Sequence, residues 1–266
     1  VSSNTHVSGG SCADPDYTVD GSADDEQIQA AIDAAGSDDT VYLCAGTYHL
    51  ATTLLGGDPM TLQGAGQGVT ILDGGATFAD GAWVSGGVEI LNLGGHDATI
   101  RGMTLQHGYI DDEGGAIYAD GDLTLDAVTF SENYATVTGG AISSSGAILQ
   151  VANSRFSGNI AGDSGGAIST YAGAHVANSE FVGNSAANWG GAIAAVGTIE
   201  ASGSTFVGNS AEAGGAIYAP GVKVSSSRFS NNHARDFGGA VTTEEVEVTA
   251  STFSGNRADY GWGGAI

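Results

Sequence analysis

The sequence predicts an all-β fold, a parallel β-helix whose coils of about 25 residues each hold three short strands, preceded by one capping α-helix. Three observations predict it. Gly-Gly-Ala followed by Ile or Val recurs from Gly114, Gly139, Gly165, Gly190, Gly214, Gly238 and Gly263, at steps of 25, 26, 25, 24, 24 and 25 residues. Phe-x-x-Asn runs in phase with it, at Phe130/Asn133, Phe156/Asn159, Phe181/Asn184, Phe206/Asn209, Phe229/Asn232 and Phe253/Asn256. Ahead of each Phe lies an alternating pair that reads as the buried face of a strand: Leu123/Leu125, Leu149/Val151, Ala174/Val176, Ile199/Ala201, Val222/Val224 and Val246/Val248. No stretch between these words has a helical period, which excludes a βα solenoid.

Residues 1–40 read as an N-terminal cap and 41–266 as the β-helix, with irregular coils to about 97 and regular ones from 98 to 266. The cap holds an amphipathic helix over 24–35, because Ile28, Ala31, Ile32 and Ala35 fall on one face. Ser22 with Asp25 suggests a capping box at its start, and Gly36 a glycine cap at its end. Such a helix covers the apolar end that every repeat stack must hide. Val41–Cys44 then reads as a strand, followed by short apolar runs at 60–62, 69–72, 88–91 and 99–100. Stacking in register would lay the six Phe as a buried aromatic column and the six Asn as an amide ladder joining coil to coil. The Gly-Gly pair suits a sharp bend with positive φ, or close approach of two backbones.

Composition narrows the function classes. There are 45 glycines without a period of three, so the chain is not collagen. Thirty acidic against 6 basic residues, a formal net charge of −24, argues against nucleic acid and anionic membrane surfaces and would repel polyanionic sugars unless cations intervened. No run is long enough to insert in a membrane as a helix. Cys12 and Cys44 are expected to form a structural disulfide, since two thiolates alone would leave a zinc ion half ligated. The start at Val1 reads as a mature secreted protein or as a chain begun there by choice, and Ile266 falls partway through a coil. An uncapped coil exposes unpaired backbone groups, so end-to-end self-association into a filament is one expectation.

The stretch from Val128 through Phe130, Asn133 and Gly139-Gly140-Ala141-Ile142, and its counterpart from Phe181 to Ile193, resemble repeats of the polymorphic outer membrane protein family. The resemblance covers roughly Thr99 to Ile266 and implies a right-handed β-helix, extracellular or on the cell surface, with an adhesive or structural role. Gln27 to Asp33 followed by Val41-Tyr42-Leu43 and Ala45-Gly46-Thr47-Tyr48 is similar to the opening coil of pectate-lyase-like β-helix proteins, a group holding polysaccharide lyases, hydrolases and non-enzymes.

Candidate chemistry is sparse. The lone lysine, Lys223, has Glu200 and Glu247 as ladder neighbours, and Arg155 aligns with Glu180, which gives these cations a cross-strand pairing role. The best acid–base grouping is His107, Asp111, Asp112 and Glu113, although an Asp-Asp-Glu run more often makes a solvated loop. Asp120 and Asp122, like Asp14 and Asp16, offer oxygens for Ca²⁺ without a recognised loop pattern, and no other cofactor is expected. Trp189, Phe237 and Trp262 precede Gly-Gly in three copies and are candidates for stacking on sugar rings. These readings favour a non-catalytic extracellular or cell-surface β-helix with an adhesive or structural role, for which a carbohydrate or a cell-surface receptor is the expected partner. A filament subunit and a polysaccharide lyase or hydrolase are the alternatives.

Overall fold

Three left-handed corners shape each regular coil in the computed structural model, which describes residues 18–20, 24–37, 39–57, 60–79, 82–84 and 86–266. The first corner is the glycine that opens Gly-Gly-Ala, with φ between +57° and +78° in all seven copies. The second is the residue just before each ladder Asn: Glu132, Gly158, Gly183, Gly208, Asn231 and Gly255, all at positive φ. The third is a mixed column of Gly102, Ala127, Asn153, Asn178, Gly203, Ser226 and Ala250, again all at positive φ. Between corners the chain is extended, so each coil closes on itself and stacks on its neighbour.

The strands between the corners form three parallel sheets. One runs through the segments that follow Gly-Gly-Ala, from Leu54–Leu55 to Val241–Thr242. A second runs through the segments that follow the Asn, from Tyr109–Ile110 to Arg257–Ala258. The third and largest is folded along the mixed corner column. Ala98–Gln106 and Leu123–Ser131 cross that corner as single bent strands, whereas later coils split there, as in Leu149–Ala152 and Arg155–Ser157. Three strands per coil thus become three sheets with one of them creased. The antiparallel hairpin Thr77–Ala79/Ala82–Val84 interrupts the early stack.

The register is that of the repeated words. Phe130 pairs with Phe156, Phe156 with Phe181, Phe181 with Phe206, Phe206 with Phe229 and Phe229 with Phe253. Their rings stack with centroids 4.5–4.8 Å apart and planes within 8°. Asn133, Asn159, Asn184, Asn209 and Asn232 are completely buried. The amide of each donates to the Oδ1 of the next, at 2.9–3.0 Å, and to a carbonyl oxygen of the coil before, Leu105 for Asn133 and the preceding Phe for the others. A parallel column of serines, from Ser154 to Ser251, accepts the backbone N–H of the preceding coil through its hydroxyls.

The last coil corrects the expectation of uniform columns. Asn256 is only half-buried, unlike the five ladder residues before it. Its Oδ1 still accepts the backbone N–H and the side-chain amide of Asn232, both at 3.0 Å, and its own amide donates to the Phe229 carbonyl at 3.0 Å. Phe253 is likewise only partly buried. The inward pairs from Leu123/Leu125 to Val222/Val224 are buried, whereas Val246 and Val248 are exposed.

The cap helix spans Asp25–Ala34 and buries Ile28, Ala31 and Ile32 against the first coil. Its caps differ from the sequence expectation. Asp24 is the N-cap, its carboxylate accepting from the N–H of Gln27 at 3.0 Å, and Ser22 lies outside the described residues. The helix ends at Ala35 in an extended conformation, so no left-handed glycine is used, and the N–H of Gly36 instead donates to Asp39. Cys44 is buried; Cys12, Asp14 and Asp16 lie outside the described residues, and with them the expected disulfide and one Ca²⁺ candidate. Among the described residues, no helix is long and apolar enough to cross a membrane.

Candidate functional site

The four residues grouped as an acid–base candidate do not converge. Asp111 accepts from the Tyr109 hydroxyl at 2.6 Å, and Glu113 from the Ser143 hydroxyl at 3.0 Å. His107 turns away to another corner, where its Nδ1 lies 3.1 Å from Asp73 and its Nε2 lies 3.6 Å from Glu132. Asp120 accepts from Ser145, and Asp97, one coil before Asp122, accepts the latter's N–H at 2.8 Å. Among the described residues no group of three or more His, Cys, Asp or Glu is arranged to hold a metal ion.

Two other arrangements carry more. The first surrounds Asp73. Burial alone would raise its pKa, but hydrogen bonds from Gln106, the Gly75 N–H and His107 outweigh it and hold the carboxyl below its ordinary value. The other ring nitrogen of His107, Nε2, faces a 380 Å³ pocket bordered by His49, Thr77 and Glu132. Chain order hides this grouping, because Asp73 and His107 are 34 residues apart, on either side of the change from irregular to regular coils.

The second is an aromatic strip. The residues just before Gly-Gly form one column along the axis, Glu113, Thr138, Ser164, Trp189, Ala213, Phe237 and Trp262. Trp189, Phe237 and Trp262 are 47%, 49% and 86% exposed. In the coil whose column member is only Ala213, the aromatic surface comes from Tyr218, which stacks on Trp189 at 5.7 Å. Tyr171 is also exposed, and with Trp189, Tyr218, Glu113 and Asp163 it borders a groove of about 260 Å³. Four successive coils therefore present a ring on the same edge. Tyr218 escapes a reading of the words alone because it follows Gly-Gly-Ala-Ile, outside the pre-glycine column.

The charged columns are surface ladders. Glu200 sits between Lys223, at 2.8 Å, and His175, at 3.5 Å, and Arg155 pairs with Glu180. Arg101 lies in register with Asp126, yet Asp126 accepts from Asn153 at 2.7 Å and forms no ion pair among the described residues. Each pair is exposed and screened by solvent, so it adds little to stability.

Glu89 is a buried carboxyl beside the loop of Asp112. Burial pushes it up to about 7, against a hydrogen bond from Asn92, and the Asp112 charge adds to the rise. Its folded pKa lies above the unfolded 4.5, so its contribution is fully present below pH 4.5 and is lost as the pH rises through about 7. Glu89→Gln is accordingly expected to be more stable than the parent by about 2–3 kcal/mol at pH 8 and equal to it at pH 4. Urea unfolding at both pH values checks this; a constant difference would show that the carboxyl does not titrate with folding.

Comparison with known proteins adds the lineage. Residues 13–216 match the family model described as rhamnogalacturonase A/epimerase, pectate lyase-like. Residues 250–266 match the Chlamydia polymorphic membrane protein repeat. Among solved structures, the A-module of the Azotobacter vinelandii mannuronan C-5 epimerase AlgE6 is similar at 16% identity, over 93% of this chain and 96% of that one, with a TM-score of 0.41. The corresponding AlgE4 module gives 15%, 92%, 96% and 0.40. That overlap is too low to transfer a reaction. No curated protein matches the chain.

Proposed function

The chain belongs to the pectate-lyase-like rhamnogalacturonase A/epimerase family, and from that premise we propose that it is a non-catalytic extracellular β-helix that adheres to polysaccharide through the edge bearing Trp189, Tyr218, Phe237 and Trp262. The observation that carries this reading is the run of aromatic rings on four successive coils, three of them exposed and Tyr218 half-buried against Trp189. Coils rise about 4.8 Å apart, close to the length that one pyranose adds to a β-linked glycan, so a chain lying along the axis would set about one sugar against each coil. The polar–apolar faces of sugars suit such rings. The repeat match at 250–266 supports a cell-surface setting. Trp189→Ala is expected to weaken binding of hexasaccharides by about 30-fold, as loss of a central tryptophan does at other interfaces. Titration calorimetry with glucan, galactan and amino-sugar hexamers checks it, and unchanged affinity in the variant would overturn the reading.

A second reading, a polysaccharide-active enzyme, is favoured by Asp73 orienting His107 toward an open pocket. There His107 would act as a base and Glu132 as its acidic neighbour. On this reading His107→Ala abolishes turnover of a polyuronate or rhamnogalacturonan panel, while Trp189→Ala mainly raises KM. Absence of turnover by the parent protein would leave only the adhesive reading.

A further inference from the structure

The aromatic edge carries a second pattern. Immediately before the column members Glu113, Ser164, Ala213 and Phe237 stand Asp112, Asp163, Glu212 and Asp236. The backbone ladder holds the first of these in line: Val137 N–H donates to Asp112, Asp163 N–H to Val137 and Asn188 N–H to Asp163. Carboxylates thus stand at this column in four coils, with Val137 and Asn188 at the same position in the coils between them.

These charges are not neutralised locally. The Asp163 carboxylate accepts from the Asn188 amide and from the Ser164 hydroxyl at 3.1 Å, and Glu113 accepts from the Ser143 hydroxyl. Neither they nor Glu212 have a cationic partner among the described residues; Asp236 alone has one, Arg235 at 3.8 Å. No Lys or Arg borders the groove at Trp189. With the net charge of −24 behind it, the edge repels anionic polymers and attracts cations.

We infer that the glycan taken by this edge is cationic, a polymer of amino sugars with free amines, whose ring faces stack on Trp189 and Tyr218 while its ammonium groups lie against Asp163 and Glu113, which border the same groove. This inference rests on the adhesive reading above and names its ligand class. Rings alone would accept any pyranose. The adjoining carboxylates attract an ammonium group through its full charge, which a neutral hydroxyl lacks, and a uronate would be opposed.

Calorimetry with three hexasaccharides, of glucosamine, N-acetylglucosamine and glucose, tests it at about pH 6, where an amine is protonated. The glucosamine hexamer is expected to bind at least about tenfold more tightly than the other two, with a preference that shrinks as salt is raised. Asp163→Asn with Glu113→Gln should remove most of that preference. Trp189→Ala should weaken all three. Equal affinities for the three sugars, or a preference indifferent to the double substitution, would overturn the cationic assignment while the adhesive reading stands. Binding of none of them, or insensitivity of all to Trp189→Ala in a variant with parental circular dichroism and melting, would overturn both.

Discussion

Asn184→Ala is expected to cost roughly 3–5 kcal/mol of folding stability, far more than the loss of one side-chain hydrogen bond. Asn184 Oδ1 accepts both the backbone N–H of Asn159, at 3.0 Å, and its side-chain amide, at 2.9 Å. Its own amide serves the Phe156 carbonyl and Asn209 Oδ1. Alanine leaves two donors of Asn159 without a partner at a completely buried site, and each unmet buried group costs about 1–3 kcal/mol. The site lies mid-stack, so a break there weakens the interface between neighbouring coils on which a solenoid's stability depends. Asn256→Ala should cost less, because water reaches the half-buried last rung and can satisfy part of what the side chain gives up. Denaturant unfolding followed by circular dichroism checks both magnitudes. A loss below about 1 kcal/mol for Asn184→Ala would mean that the ladder is replaced by other bonds at little cost. Asn184→Asp, which keeps the acceptors but turns a donor into a second acceptor, should be more damaging at neutral pH than in acid.

Gly191→Ala is expected to have an effect of similar size, at about 4 kcal/mol or a failure to fold. A Cβ there would fall on the Gly215 carbonyl oxygen and against the backbone of Ser210, neither of which is the flexible end of a side chain. The same holds one coil earlier, where Gly166 faces the Gly191 carbonyl. Gly183→Ala supplies the contrast. Gly183 has φ +62° but nothing within 4 Å of its would-be Cβ, so only backbone strain of about 1–2 kcal/mol is expected. Gly183→Asn should be close to neutral, because Asn231 occupies the same corner at φ +54°. Melting temperatures of the three variants separate close approach from conformation; equal losses for Gly191→Ala and Gly183→Ala would refute the distinction.

These two positions also show which parts of the molecule could be read from its letters. The Phe and Asn columns are legible because a buried, in-register ladder tolerates one residue type per column, so period and identity coincide. What the letters do not carry is depth: Asn256 and Phe253 spell the same word as their predecessors and yet are only partly buried. The Gly-Gly word is legible for two physical reasons: its first glycine needs positive φ and its second touches the next coil. The crease in the large sheet is not legible, since Gly102, Ala127, Asn153, Asn178, Gly203, Ser226 and Ala250 share a backbone conformation and no chemistry. The Asp73–His107 pocket was hidden for a related reason: it lies where coil lengths vary and the hairpin at 77–84 interrupts the stack, so no word aligns its members. Glu89 read as one member of an apolar strand run, and only the packing around it reveals a buried carboxyl. The aromatic edge was half visible, in Trp189, Phe237 and Trp262, and needed the stacked Tyr218 to become continuous.

The in-register ladders make the coil a unit of inheritance. From the coil of Ser154 onward, each coil offers its neighbour the same Asn amide, serine hydroxyl, Phe ring and Gly-Gly corner, so excising or duplicating one of these whole coils rejoins like with like. Such an event changes the length of the solenoid by about 4.8 Å and leaves each lateral bond with an equivalent partner. The outward columns obey no such rule and can be rewritten coil by coil. Reach and surface chemistry can therefore diverge independently among descendants of this chain.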